Sequence, residues 1–175
     1  MSSGIEIRES LPTDGKALED LYPAAFPDED LLPLLRELLS EKDNVFSLVA
    51  VSEGMLVGHI VFTTCGIAGR REKVGLLGPL AVSPAVQRQG IGRTLIQVGL
   101  KRMQSEGATQ VHVLGDPAYY GRFGFEPDSG VTPPYDLPPE WQTAWQSISL
   151  RSGKPRLVGM LSVPKPWRQA ALWAP

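Results

Sequence analysis

Apolar and polar positions along this chain follow two periods, and the switches between them mark its elements. Ile5–Glu9 alternates apolar and charged residues and predicts a short half-buried strand. After Thr13-Asp14, the spacing of Ala17, Leu18, Leu21 and Ala25 is helical, and Pro27 ends the segment. Asp28–Ser40 predicts a second helix with a broad face of leucines, and Asp28, Glu29 and Asp30 suit its N-terminal dipole. Val45–Val51 and Leu56–Thr63 read as strands joined by Ser52-Glu53-Gly54-Met55, a hairpin signature. Ile67–Lys73 is a polar loop. Leu76–Val82 is an apolar strand, and Gly90–Glu106 is a long amphipathic helix stopped by Gly107. Gln110–Leu114 is a buried strand, parallel to Leu76–Val82 if the helix between them is a crossover. Asp116-Pro117 is an N-cap followed by proline at the first helical position, opening a short helix to about Phe123. Beyond Glu126, prolines break up regular structure. Pro127–Pro139 is a long ordered loop, and Trp145–Leu150 and Leu157–Val163 are candidate strands.

The most telling stretch is Leu76–Leu95, where an apolar strand meets a glycine-rich turn that opens a helix. The first N–H groups of a helix have no internal partner, and the aligned peptide dipoles place positive charge there. Glycines let a ligand approach the backbone, so Gln87–Thr94 is a candidate phosphate cradle. A P-loop is excluded, because Arg93-Thr94 stands where Lys-Ser/Thr is needed. A dinucleotide loop is excluded, because Leu95 occupies the place of its third glycine. Taken alone, the turn is equally compatible with an ordinary cap on a core helix.

The remaining pattern, Gln87-x-x-Gly90-x-Gly92, resembles the acetyl-CoA motif of the GCN5-related N-acetyltransferase (GNAT) superfamily, Arg/Gln-x-x-Gly-x-Gly/Ala at a strand-to-helix junction. Val111–Phe125, VHVLGDPAYYGRFGF, agrees with the family's strand and short helix ending in Tyr-x-x-x-Gly-Phe. Together they look like one bacterial branch, the YhbS-like predicted acetyltransferases. The resemblance spans roughly residues 45–126 and is looser on either side. It implies an α/β (α+β) GNAT fold: a mixed central sheet of about seven strands with a splayed central parallel pair, flanked by about four helices. It also implies acetyl-CoA as cosubstrate, with no metal. Many members carry an asparagine near the start of the helix after the fifth strand, where this chain has Gly115-Asp116-Pro117.

Composition narrows the class. The 175 residues suit one domain spanning 1–175, and 42% hydrophobic with 21% charged residues is ordinary for a globular protein. A formal net charge of −2 argues against nucleic acid as a partner. Cys65 is the single cysteine, so no intramolecular disulfide and no cysteine-based metal cluster can form. Neither a signal core nor a run of ~20 apolar residues is present, so the chain reads as cytoplasmic, without a membrane partner. The four tryptophans all lie beyond Glu126, where they cap a monomer or form the face of a homodimer.

By resemblance, the backbone N–H groups of Arg88, Gln89, Gly90, Ile91, Gly92, Arg93 and Thr94 hold the cofactor diphosphate, with Gln87 opening the motif. Leu80, Ala81 and Val82 pair with the pantetheine arm as an added strand would, and the Val82 N–H polarises the thioester carbonyl. Tyr120, the Tyr of Tyr-x-x-x-Gly-Phe, is the candidate general acid. A phenol with pKa near ~10, against ~8.5 for a thiol, holds a proton for the departing thiolate. Packing against the pantetheine is its alternative role. One or two cations among Arg70, Arg71, Lys73, Arg88, Arg93, Lys101 and Arg102 are candidates for the 3′-phosphate of CoA. No general base is assigned: His59 and His112 read as structural histidines, and Asp28–Asp30 fall in the family's acceptor loop but also serve the helix. The implied reaction is direct acetyl transfer to the primary amine of a small molecule or peptide. The alternatives are a non-catalytic acyl-CoA sensor and a transferase of longer acyl groups.

Overall fold

Proline and glycine chemistry sets most element boundaries. The structure is a computed structural model and describes residues 4–153 and 155–174. Strand β1 (Glu6–Glu9) leads through a 3-10 turn at Pro12–Asp14 into α1 (Gly15–Ala25). The Asp14 carboxylate accepts from the Leu11 N–H at 2.7 Å and from both terminal nitrogens of Arg8 at 2.9 Å, which fixes the helix entry. Helix α2 (Leu32–Ser40) is shorter than the expected Asp28–Ser40. Pro33 has no N–H and suits only a first turn, so the helix begins at Leu32. Asp28, Glu29 and Asp30 precede it, and Asp30 accepts from the Leu32 N–H at 3.4 Å. Strands β2 (Val45–Ser52) and β3 (Met55–Ile67) form the expected hairpin. Glu53 and Gly54 at its tip have φ of +50° and +78°, the hand that matches strand twist.

The later elements are β4 (Lys73–Val82), α3 (Ile91–Ser105), β5 (Gln110–Leu114), α4 (Pro117–Tyr120), β6 (Glu126–Pro127), β7 (Val131–Thr132), β8 (Trp145–Ser149) and β9 (Gly159–Ser162). Helix α3 stops in a Schellman turn. Ala108 donates to the Met103 carbonyl at 3.0 Å and Gly107 to that of Gln104 at 3.1 Å, with Gly107 at φ +95°.

The chain forms two units. The first takes residues up to Phe62 together with Gly78–Lys101. Within it β1 pairs antiparallel with β2, in register Glu6↔Val51 to Glu9↔Leu48. Helix α3 lies close on β3 because glycine stands at two contacts. A Cβ on Gly58 would come within 2.9 Å of Ile91, and one on Gly99 within 2.0 Å of the Phe62 ring. The neighbouring β3 residue His59 points to the opposite face, where its Nδ1 lies 2.7 Å from the Tyr22 hydroxyl of α1.

The second unit takes Thr63–Leu77 and the chain from Arg102 onward. Here β4 and β5 run parallel, pairing Gly75–Leu77 with Val111–Val113. Strand β8 pairs antiparallel with β5, and β6 joins β8. Strand β9 pairs with β3 at Gly66 and Ile67, and with β7 in parallel. The candidate strands beyond residue 144 are thus β8 and β9, while β6 and β7, two residues each, carry no readable periodicity. Trp145, Trp167 and Trp173 are buried. Their indole N–H groups donate to the Val131 carbonyl (2.7 Å), the Thr63 hydroxyl (3.0 Å) and the Trp167 carbonyl (3.1 Å). Trp145, Trp167 and Trp173, with Pro166, therefore build core in the last third.

Candidate active site

The end of β4 and the start of α3, both in the first unit, carry the residues expected to hold the cofactor. The parallel pairing of β4 with β5 ends at Leu77, just before Gly78-Pro79, a cis peptide with Gly78 at φ +144°. Pro79 has no N–H to give to a ladder. Leu80 and Val82 are half-buried, whereas Ala81 is buried. The strand end is anchored twice: Ser83 donates to the Val57 carbonyl at 2.8 Å, and the Gln87 side-chain amide donates to the Val82 carbonyl at 3.1 Å. Gln87 thus fastens the glycine loop to the strand that carries Val82, a role its place in the motif did not reveal. Arg88 and Gly90 then turn the chain at φ +67° and +83°. Gly90 faces open space where a Cβ would stand. The first intrahelical bond of α3 runs from Thr94 N–H to the Gly90 carbonyl at 3.0 Å, and the Thr94 hydroxyl also donates to that carbonyl at 2.9 Å. Thr94 therefore spends its donors inside the helix. The N–H groups of Gly90, Ile91 and Gly92 lie ahead of that first bond, and no acidic side chain stands in the first turn.

Tyr120 belongs to the second unit. Asp116 caps α4, its carboxylate accepting from the Ala118 N–H at 2.9 Å. Gly124, at φ +100°, ends the following turn and sends Phe125 back into the core, where its ring meets Tyr120 edge-on at 5.7 Å. This explains the spacing Tyr-x-x-x-Gly-Phe: the glycine supplies a left-handed turn and the phenylalanine braces the tyrosine. Tyr119 braces it from another side at 5.0 Å. A Cβ on Gly115 would lie 2.5 Å from Tyr120 Cε2, so the ring seats against bare backbone there. Burial, helped by Tyr119, raises the Tyr120 phenol above its ordinary pKa.

The Acetyltransferase (GNAT) family model matches residues 15–125. The chain belongs to this family. It is 34% identical over 167 residues to the uncharacterized N-acetyltransferase YjhQ of Escherichia coli K12, an alignment covering 91% of this chain and 92% of that protein. It is 32% identical over 121 residues to YhbS of the same strain, covering 69% and 72%. The crystal structure of Escherichia coli YhbS in complex with CoA matches with TM-score 0.84 at 25% identity, covering 97% of this chain and 94% of that one. A GNAT acetyltransferase from Brucella melitensis in complex with acetyl-CoA matches with TM-score 0.74 at 29% identity, covering 94% and 98%.

Several other candidates in this GNAT chain have structural partners. His59 and His112 are fully buried, and desolvation lowers each pKa to about 4, so both are neutral at pH 7. His112 stacks on Trp145 at 5.2 Å. Cys65 is buried and burial raises its thiol pKa, the opposite of an activated nucleophile. In the basic cluster, Arg70 pairs with Glu72 at 2.9 Å, while Lys73 and Arg102 reach the carbonyl and carboxylate of Glu106 at 3.1 and 2.9 Å. Among the described residues no helix is long and apolar enough to cross a membrane.

Proposed function

We propose that this GNAT protein is an acetyl-CoA-dependent N-acetyltransferase, that its two units make up one catalytic domain, and that it acts in the cytoplasm on the primary amine of a small molecule or peptide. The observation that carries this reading is the start of α3. The N–H groups of Gly90, Ile91 and Gly92 are among those that precede its first internal bond, its first turn lacks acidic side chains, and Gly90 leaves the approach open. That chemistry suits a diphosphate, and YhbS and the Brucella melitensis acetyltransferase were solved with CoA and acetyl-CoA respectively.

Each residue then has a task. Gly90, Ile91 and Gly92 hold the diphosphate through their N–H groups, with Arg88, Gln89 and Arg93 flanking them. Leu80–Val82 pairs with the amides of the pantetheine arm. The Val82 N–H stabilises the negative charge that grows on the thioester oxygen, and Gln87 fixes the strand end that carries it. The incoming amine, with pKa ~10.4 when free, must shed a proton to attack. Full proton transfer from Tyr120 to a thiolate is uphill, because a thiol is the stronger acid and burial raises the phenol further. Tyr120 therefore acts as a hydrogen-bond donor that stabilises the leaving sulfur, and the proton shed by the amine balances the products.

Calorimetric titration with acetyl-CoA, against NAD and ATP, tests the cofactor, and CoA release with a panel of amines tests the reaction. Selective binding of acetyl-CoA and turnover with an amine are expected. A folded, CoA-free protein that ignores acetyl-CoA would overturn the reading.

A further inference from the structure

Helix α4, which carries Tyr120, is a single turn of four residues, and a helix that short does not stand by itself. Its direction is set by the chain just before it. Asp116 is the N-cap, and its carbonyl accepts from the Tyr119 and Tyr120 N–H groups at 3.1 and 3.0 Å. The helix therefore follows the peptide that joins Gly115 to Asp116. Glycine at 115 has no Cβ to restrict that peptide, so contacts from outside the segment must fix it.

Two contacts do so, both within the second unit. The Gly115 N–H donates to the Ala144 carbonyl at 2.9 Å, one step past the last β5–β8 pair, Leu114↔Trp145. The Gly115 carbonyl accepts from the side-chain amide of Gln146 at 3.1 Å, and the same nitrogen donates to the Ala144 carbonyl at 3.3 Å. Gln146 is fully buried on β8, paired with Val113 of β5 on one side and Pro127 of β6 on the other. Both partners of its amide are carbonyls, so the nitrogen has to face them. Its amide oxygen is left buried, with no hydrogen bond among the described residues. An unsatisfied buried acceptor costs stability, and the fold carries that cost where the amide nitrogen grips the entry to α4.

We propose that Gln146 is a positioning residue for Tyr120: by pinning the Gly115–Asp116 peptide, it sets the direction of α4 and the place of the phenol. Gly115 is also the surface on which the ring rests, since an added Cβ would lie 2.5 Å from Tyr120 Cε2. A small shift of this glycine therefore passes directly to the ring. The link to catalysis rests on the reading of Tyr120 as the donor to the leaving sulfur; the link to the ring does not.

The test is Gln146→Met, which keeps the length of the side chain and removes the amide. NMR of the tyrosine rings needs no amine. The Tyr120 resonances, identified by their loss in Tyr120→Phe, should shift, while those of Tyr22, which lies in the other unit, should stay. With an amine that turns over in the CoA-release panel, kcat should fall about tenfold, the size of one lost hydrogen bond, and KM for acetyl-CoA should stay within about twofold. The double variant should be no slower than Tyr120→Phe alone, because Gln146 acts through the hydroxyl. If Gln146→Met does not fold, Gln146→Asn, whose amide stops one carbon short of Gly115, should give the same pattern. Unmoved Tyr120 resonances, or losses that multiply in the double variant, would overturn the proposal. Shifted resonances together with wild-type kcat in Tyr120→Phe would uphold Gln146 as the residue that places the ring and overturn the catalytic reading of Tyr120 instead.

Discussion

Tyr120 shows how much one side chain depends on its neighbours. Phe125 and Tyr119 brace its ring, and Gly115 leaves room for it. Tyr120→Phe keeps that packing and removes only the hydroxyl, so kcat should fall by about a hundredfold, the low end for a hydrogen-bond donor that stabilises developing charge, while CoA affinity stays within a few fold. An equal loss in both would reduce Tyr120 to a packing residue. Gly115→Ala approaches the same ring from outside, because its Cβ lies 2.5 Å from Cε2. It should lower kcat as well, with the phenol still present. The raised Tyr120 pKa keeps the hydroxyl protonated, so the rate should show no Tyr120-linked fall as pH approaches ~10. Cys65→Ala should leave activity within a few fold, as the burial of that thiol and its raised pKa require.

At the scale of elements, the start of α3 is the part most open to test. Gly90 sits at φ +83° with open space where a Cβ would be. Gly90→Ala therefore adds backbone strain of about 1 kcal/mol and no clash. Gly90→Glu adds the same strain plus a negative charge where the diphosphate would lie. Gly90→Ala should bind CoA a few fold more weakly and Gly90→Glu should not bind it measurably; similar affinities would remove the diphosphate from this turn. The motif was legible in sequence because its parts are local: strand, turn and helix cap fall within one short stretch. The start of α2 was misread because acidic residues favour a helix N-terminus, whereas Pro33 fixes it at Leu32. The role of Gln87 was hidden because its partner is a backbone carbonyl, that of Val82, which no residue type announces. Strands β6 and β7 escaped because two residues carry no period.

Across the whole molecule, the histidines join distant parts of the chain in ways periodicity does not show. His59 meets Tyr22 of α1, and His112 meets Gln110, Trp145 and the turn at Asp128. Sequence marked both as structural without naming these partners. Their burial makes a measurable demand on stability. Each has a folded pKa of about 4 against an ordinary 6.5, so between those values the unfolded chain binds more protons than the folded one. Stability contributed by the two neutral imidazoles is complete above pH 6.5, declines as pH falls toward 4, and is not reduced further below that. A shift of this size corresponds to about 3 kcal/mol per histidine, a large share of the ~5–15 kcal/mol that holds a domain together. The Asp14 carboxylate, held below its ordinary pKa by Arg8, adds a loss in the same direction at lower pH. Urea unfolding midpoints should therefore hold steady above pH 7 and drop steeply from pH 6.5 to 4.5, while NMR of the folded protein should show neither imidazole titrating until near pH 4. Midpoints flat across that interval, or an imidazole titrating near 6.5 in the folded state, would mean that the histidines are not sealed in the core as the structure has them.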